Sequence, residues 1–100
     1  MVNDKKHILV IDDEEEIRFL FETKFYKMGY RVSTAATGLQ AVQKLRSGTF
    51  FDLIICDLKM PKMTGIDFYN EMVQLSPTSK FLLITGFPDR QKLVGAMKNG

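Results

Sequence analysis

The chain has a single cysteine, Cys56, so it cannot form an internal disulfide, a pattern that fits a reducing cytoplasm. Long apolar runs are missing too: none approaches the roughly 20 residues that a membrane-crossing helix needs. The opening residues Met1-Val2-Asn3-Asp4-Lys5-Lys6 lack the apolar stretch and cleavage site of a signal peptide. A large excess of one charge is missing as well, and a net +2 is too small to mark a nucleic-acid binder. What is present is ordinary for a globular domain, with 45% hydrophobic and 26% charged residues. One hundred residues suit one small hydrophobic core. The expectation is a single domain over residues 1–100, cytoplasmic, with no direct contact to nucleic acid or membrane.

Three short apolar runs, Ile8-Leu9-Val10-Ile11, Leu53-Ile54-Ile55-Cys56 and Phe81-Leu82-Leu83-Ile84, are continuous and of strand length. Continuous runs predict strands covered on both faces, as in parallel sheets. A weaker run, Tyr30 to Ala35, follows Gly29 and predicts an edge strand. Helical spacing lies between the strands. Ile17, Leu20, Phe21, Phe25 and Met28, with the stem of Lys24, share one face of a helix beginning near Glu14. The acidic run Glu14-Glu15-Glu16 suits the positive end of its dipole, and Gly29 reads as its stop. Leu39, Val42 and Leu45 predict a second helix ending at Ser47-Gly48. Ile66, Tyr69, Met72 and Val73 predict a third ending before Pro77, and Leu93, Val94 and Met97 a fourth beginning near Pro88. This β-α alternation predicts an α/β domain, a doubly wound parallel sheet with helices on both faces.

Asp12 and Asp13 close the first apolar run, and Asp57 closes the third. Ligands of open α/β sheets bind at the carboxyl ends of strands. Neighbouring strands lie about 4.8 Å apart, so the three carboxylates can share a pocket. Anions crowded in this way need a cation, and hard oxygen donors favour Mg²⁺. Thr85 ends the fourth run and is followed by Gly86, which leaves its hydroxyl open to hydrogen-bond a group carried on Asp57. The loop from Leu58 to Gly65 offers backbone groups to complete a metal shell.

Asp12-Asp13 after a strand, Asp57-Leu58-Lys59-Met60-Pro61 with Gly65 beyond, and Thr85 at a later strand end resemble the response-regulator receiver domain of two-component systems. The resemblance covers essentially the whole chain. It implies a flavodoxin-like sheet of order 2-1-3-4, with the fifth strand and fifth helix of the family pattern missing from this chain. It implies that Asp57 is the phosphoacceptor nucleophile, taking a phosphoryl group from a histidine kinase or histidine phosphotransfer protein. Asp13, Asp57 and the Lys59 backbone carbonyl would bind Mg²⁺, with Asp12 acting largely through water. Thr85 would turn toward the phosphoryl group and convert phosphorelay chemistry into a conformational switch that controls an output domain or target. Such a domain is a phosphoprotein and not an enzyme, since it catalyses only its own aspartyl phosphorylation and dephosphorylation.

The family's lysine after the fifth strand has no counterpart here, because Lys92 and Lys98 fall in the predicted fourth helix. The alternative is therefore a receiver-like interaction module that is not phosphorylated in this form. A haloacid-dehalogenase-type phosphatase would need an aspartate two residues after the nucleophile, where this chain has Lys59. A flavin module would need a Ser/Thr/Gly-rich loop where Asp12 to Glu16 stand. Cys56 reads as a small buried apolar side chain, and His7 as a surface or strand-start residue. Phe19 and Tyr26 lie opposite the main stripe of the first helix and read as covered by the core or by the family's fifth helix, or as a partner contact. An exposed edge on the fourth strand predicts marginal stability or self-association.

Overall fold

The computed structural model describes residues 5–84, which form β1 (His7–Ile11), α1 (Glu15–Lys27), β2 (Arg31–Ala35), α2 (Gly38–Arg46), β3 (Leu53–Asp57), α3 (Gly65–Leu75) and β4 (Lys80–Ile84). The four strands are parallel and lie in the order β2-β1-β3-β4. Among the described residues no helix is long and apolar enough to cross a membrane. The fourth helix expected near Pro88 lies outside the described residues, as do Thr85 and Gly86.

Strand alternation divides the core into two layers. Ile8, Val10, Ile55 and Ile84 meet Ile17 and Phe21 of α1 on one face. Leu9, Ile11, Ile54 and Cys56 meet Ala41, Val42 and Leu45 of α2 and Phe68 and Met72 of α3 on the other. β1 and β3 are the continuous runs because they lie inside the sheet and are covered on both sides. β4 departs from that expectation. Its burial alternates and Leu82 is 42% exposed, because β4 has a strand neighbour on one side only among the described residues.

α1 has Glu14 at its N-cap, with Glu15 and Glu16 in the first turn. Its end is a Schellman motif: the Gly29 amide donates to Tyr26 O, and the Tyr30 amide donates to Phe25 O. Gly29 has φ 95°, a conformation that disfavours a side chain, and the Tyr30 ring meets Phe25 edge-on at 6.0 Å. Met28, expected on the buried face, is exposed beside this turn.

Two helical faces differ from expectation. In α2, Leu39 is exposed and the inward positions are Gly38, Ala41, Val42 and Leu45. In α3, Ile66, Tyr69 and Val73 are exposed, while Gly65, Phe68 and Met72 are buried. Both α3 stripes satisfy helical spacing and differ by one residue, a rotation of about 100°. The helix start sets the rotation. A Cβ on Gly65 would lie 2.5 Å from Leu83 Cδ1, 2.8 Å from Asp57 O and 3.0 Å from Leu58 Cα, so only glycine admits this approach. Thr64 and Asp67 then fix the first turn by a reciprocal capping box, with both amide-to-side-chain bonds at 3.1 Å.

At the far end of the sheet His7 is half-buried against the Phe51 ring, with Nε2 at 2.7 Å from Ser33 Oγ. Its Nδ1 is buried without a hydrogen-bond partner. Burial and the nearby Arg31 lower its pKa from the ordinary 6.5, against an opposing pull from Asp52. The folded state thus favours the neutral ring, so the contribution of His7 to stability is complete above pH 6.5. It is lost as pH falls from 6.5 toward the lowered folded value, because the unfolded chain takes up the proton first. Urea unfolding at pH 7.5 and 5.0 should show a smaller acid loss for His7→Phe than for the parent chain. Equal losses would remove His7 as the source.

Candidate functional site

The sheet register assembles the acidic site. β1 pairs with β3 so that Ile11 lies beside Cys56, which sets Asp12, the next residue, level with Asp57. Ligand oxygens of Asp12, Asp13 and Asp57 all lie within 4.8 Å of one another. Asp12 and Asp57 are only 3% and 1% exposed, whereas Asp13 faces solvent. Sequence position alone thus places three carboxylates at the carboxyl edge of the sheet, and the register joins them.

Backbone contacts hold this edge in place. The Asp12 amide donates to Ala35 O at 3.1 Å and its carbonyl accepts from Arg18 Nη1 at 2.7 Å. The Glu14 amide donates to Asp12 Oδ1 at 2.9 Å, which orients that carboxylate as α1 begins. Across the sheet, the Leu58 amide donates to Ile84 O, and the Gly65 amide donates to Leu58 O, both at 2.9 Å. The Lys59 amide donates to Asp57 Oδ1 at 3.3 Å, so this exposed residue folds back over the strand end. Arg18, through the Asp12 carbonyl, and the Thr64–Asp67 capping box support this edge and were not legible as such. The Thr64-x-x-Asp67 spacing was the available signal for the box.

Cys56 is fully buried beneath the site. Burial, followed by the charges of Asp57 and Asp12, pushes its thiol up to about 12, which keeps it protonated and unreactive at neutral pH. It is a core residue, as its surroundings in the sequence suggested.

The donor set fits a hard divalent cation. All three side chains offer carboxylate oxygens, two of them are withdrawn from water, and one opens to solvent. Mg²⁺ accepts a few carboxylates and keeps waters of its own, which matches one buried edge and one open edge. Thr85, expected at the end of β4, lies outside the described residues.

Comparison with known proteins gives one family. The model of the response regulator receiver domain matches residues 8–100. The transcriptional regulatory protein ZraR of Klebsiella oxytoca is 34% identical over 100 residues, which is all of this chain and 22% of that protein. The chain thus spans about a fifth of that relative's length. Among solved structures, the response regulator TrrA of Thermotoga maritima, in complex with Mg²⁺–BeF, is 34% identical with a TM-score of 0.75. The match covers 92% of this chain and 80% of that one. A chain in the crystal structure of histidine kinase ThkA with TrrA is 36% identical with a TM-score of 0.74, covering 82% of this chain and 70% of that one.

Proposed function

Because this chain belongs to the response regulator receiver domain family, we propose that it is the phosphoacceptor of a two-component phosphorelay, with Asp57 as the acceptor. The observation that carries this reading is the convergence of Asp12, Asp13 and Asp57 within 4.8 Å at the ends of adjacent strands. An Asp57 carboxylate oxygen attacks the phosphorus of a phosphohistidine. The new bond is O–P, the N–P bond breaks, and its electron pair returns to the imidazole nitrogen. The Lys59 amide holds the attacked-from carboxylate in place through Oδ1. Asp12, Asp13, Asp57 and the Lys59 backbone carbonyl are the residues that would hold Mg²⁺. When bound, the ion neutralises charge on the transferring phosphoryl oxygens. Thr85 would donate its hydroxyl to the phosphoryl group and switch the surface read by an output domain or target. The domain turns over no external substrate beyond the phosphodonor.

The complex of a histidine kinase with a similar regulator supports a kinase, or a histidine phosphotransfer protein, as the partner. The test is intact-mass analysis of the chain after incubation with Mg²⁺ and acetyl phosphate. One labile phosphoryl group is expected, and a chain extended beyond residue 100 is the control. Phosphorylation of neither form would favour the reading as an unphosphorylated interaction module.

Phe19 and Tyr26 on α1 are 63% and 72% exposed, so the core of the described residues does not cover them. They are our proposed contact for the histidine-bearing partner. An aromatic ring buried at an interface contributes about 1.5–3 kcal/mol, so Phe19→Glu should weaken kinase binding by about tenfold or more. Unchanged affinity in a folded variant would sink this assignment. The edge of β4 without a strand neighbour among the described residues, with Leu82 exposed, is the proposed surface for self-association. Sedimentation at rising concentration should show dimers, and a strictly monomeric chain would contradict it.

A further inference from the structure

The loop between β3 and α3 is tied at its ends and also in its middle. The Leu58 and Gly65 amide bonds fix the ends. Between them Met60 is buried in the core layer of α2 and α3, and Met63 packs against the same layer. Lys62, with φ 70°, is the non-glycine residue in the left-handed region among the described residues. It reverses the chain between the two methionines, and the Met63 amide donates to Pro61 O at 2.7 Å within the same turn.

Met63 occupies space that exists because residue 38 has no side chain. A Cβ on Gly38 would lie 2.6 Å from Met63 Sδ, 2.9 Å from Cγ and 3.2 Å from Cβ. Gly38 does not have a left-handed backbone, unlike Gly29 and Gly48. Its glycine is therefore explained by the methionine seated on it and not by backbone freedom. Gly38 is also the first residue of α2, so the contact joins the start of that helix to the loop that carries Lys59.

We infer that Met63, seated over Gly38, is a positioning residue for the Lys59 carbonyl in the metal site. The inference rests on the Mg²⁺ reading given above. Lys59 is exposed, so its place is set by its neighbours: Asp57 before it, Met60 after it, and Met63 at the far side of the turn. Without the Met63 anchor the turn loses its outer attachment, and the Lys59 backbone, tied to Asp57 Oδ1 through its amide, is less firmly placed beside the carboxylates. Groups that orient metal ligands by direct hydrogen bonds are worth about ten- to a hundredfold in metal affinity, and the lower end of that range sets the scale for this indirect contact.

The test uses the full chain with Gly38→Ala, Met63→Ala, their combination, and Met63→Leu. Mg²⁺ titration is followed by amide chemical shifts, and folding by the urea midpoint. Gly38→Ala and Met63→Ala should each weaken Mg²⁺ binding by about tenfold. Adding Gly38→Ala to Met63→Ala should change affinity by less than about twofold, because the two nearest atoms, Sδ and Cγ, are gone and only the Cβ at 3.2 Å remains. Met63→Leu keeps the apolar bulk and should bind within about twofold of the parent. In metal-free protein, exchange of the Lys59 amide should quicken in Met63→Ala and not in Met63→Leu. Folded single variants that bind Mg²⁺ like the parent would overturn the latch while leaving the metal reading intact. A parent chain that does not bind Mg²⁺ would overturn the metal reading and the latch together. If Gly38→Ala does not fold, the two Met63 variants decide the matter.

Discussion

Asp57→Asn is expected to abolish the labile phosphoryl group and, in the same protein, to cancel most of the stabilisation by Mg²⁺. Both effects follow from one carboxylate. Its oxygen is the proposed nucleophile, and it belongs to a trio whose ligand atoms lie within 4.8 Å of one another. At that separation, and with an effective dielectric near 20, each like-charged pair repels by on the order of 3 kcal/mol. A small domain has only about 5–15 kcal/mol of total stability, so the trio is a sizeable strain that a cation offsets. Mg²⁺ at about 100 times its dissociation constant would stabilise the parent by about 2.7 kcal/mol. The asparagine variant should lose most of that gain, because a neutral amide replaces one of three anions. Urea unfolding with and without Mg²⁺ measures the linkage, and intact mass after acetyl phosphate measures the chemistry. A variant that keeps the full Mg²⁺ gain would remove Asp57 from the metal site, and one that still gains a phosphoryl group would remove it as acceptor.

Phe68→Ala should be among the most damaging single substitutions in the fold. Phe68 is 0% exposed and stacks with Phe81 at a centroid distance of 6.1 Å, so truncation leaves a large cavity between α3 and the sheet. Losses for such changes run to about 3–5 kcal/mol. Ile66→Ala is the matched control. Ile66 is 54% exposed two residues away on the same helix, and an exposed truncation of this kind should cost within about 0.5 kcal/mol. Urea midpoints of the two variants, at unchanged m-values, compare them directly. Similar losses would mean that α3 presents a different face to the sheet than the one described.

The sequence by itself determined the strands, their parallel character and the three aspartates of the acidic site, while the strand order followed from the family resemblance and is seen in the sheet. β1 and β3 are legible because their side chains are apolar on both faces, and Asp12, Asp13 and Asp57 are legible because each ends such a run. Local chemistry also marked the end of α1, where Gly29 takes the left-handed turn that a side chain disfavours. The inward face of α1 was legible as well, through Ile17, Leu20, Phe21 and Phe25, whereas only the tertiary structure decided which face α3 turns inward and that Leu39 of α2 stays outside. Ile66, Tyr69 and Val73 have the same spacing as Gly65, Phe68 and Met72, and nothing along the chain separates them. The choice is made by Gly65 pressed against Asp57 O and Leu58 Cα. In α2 it accompanies Met63 seated over Gly38, which leaves Leu39 outside. Periodicity fixes the shape of an apolar stripe, whereas its direction depends on contacts between residues distant in the chain. The same holds for the site itself: three aspartates are written in the sequence, and the β1–β3 register brings their oxygens within reach of one ion.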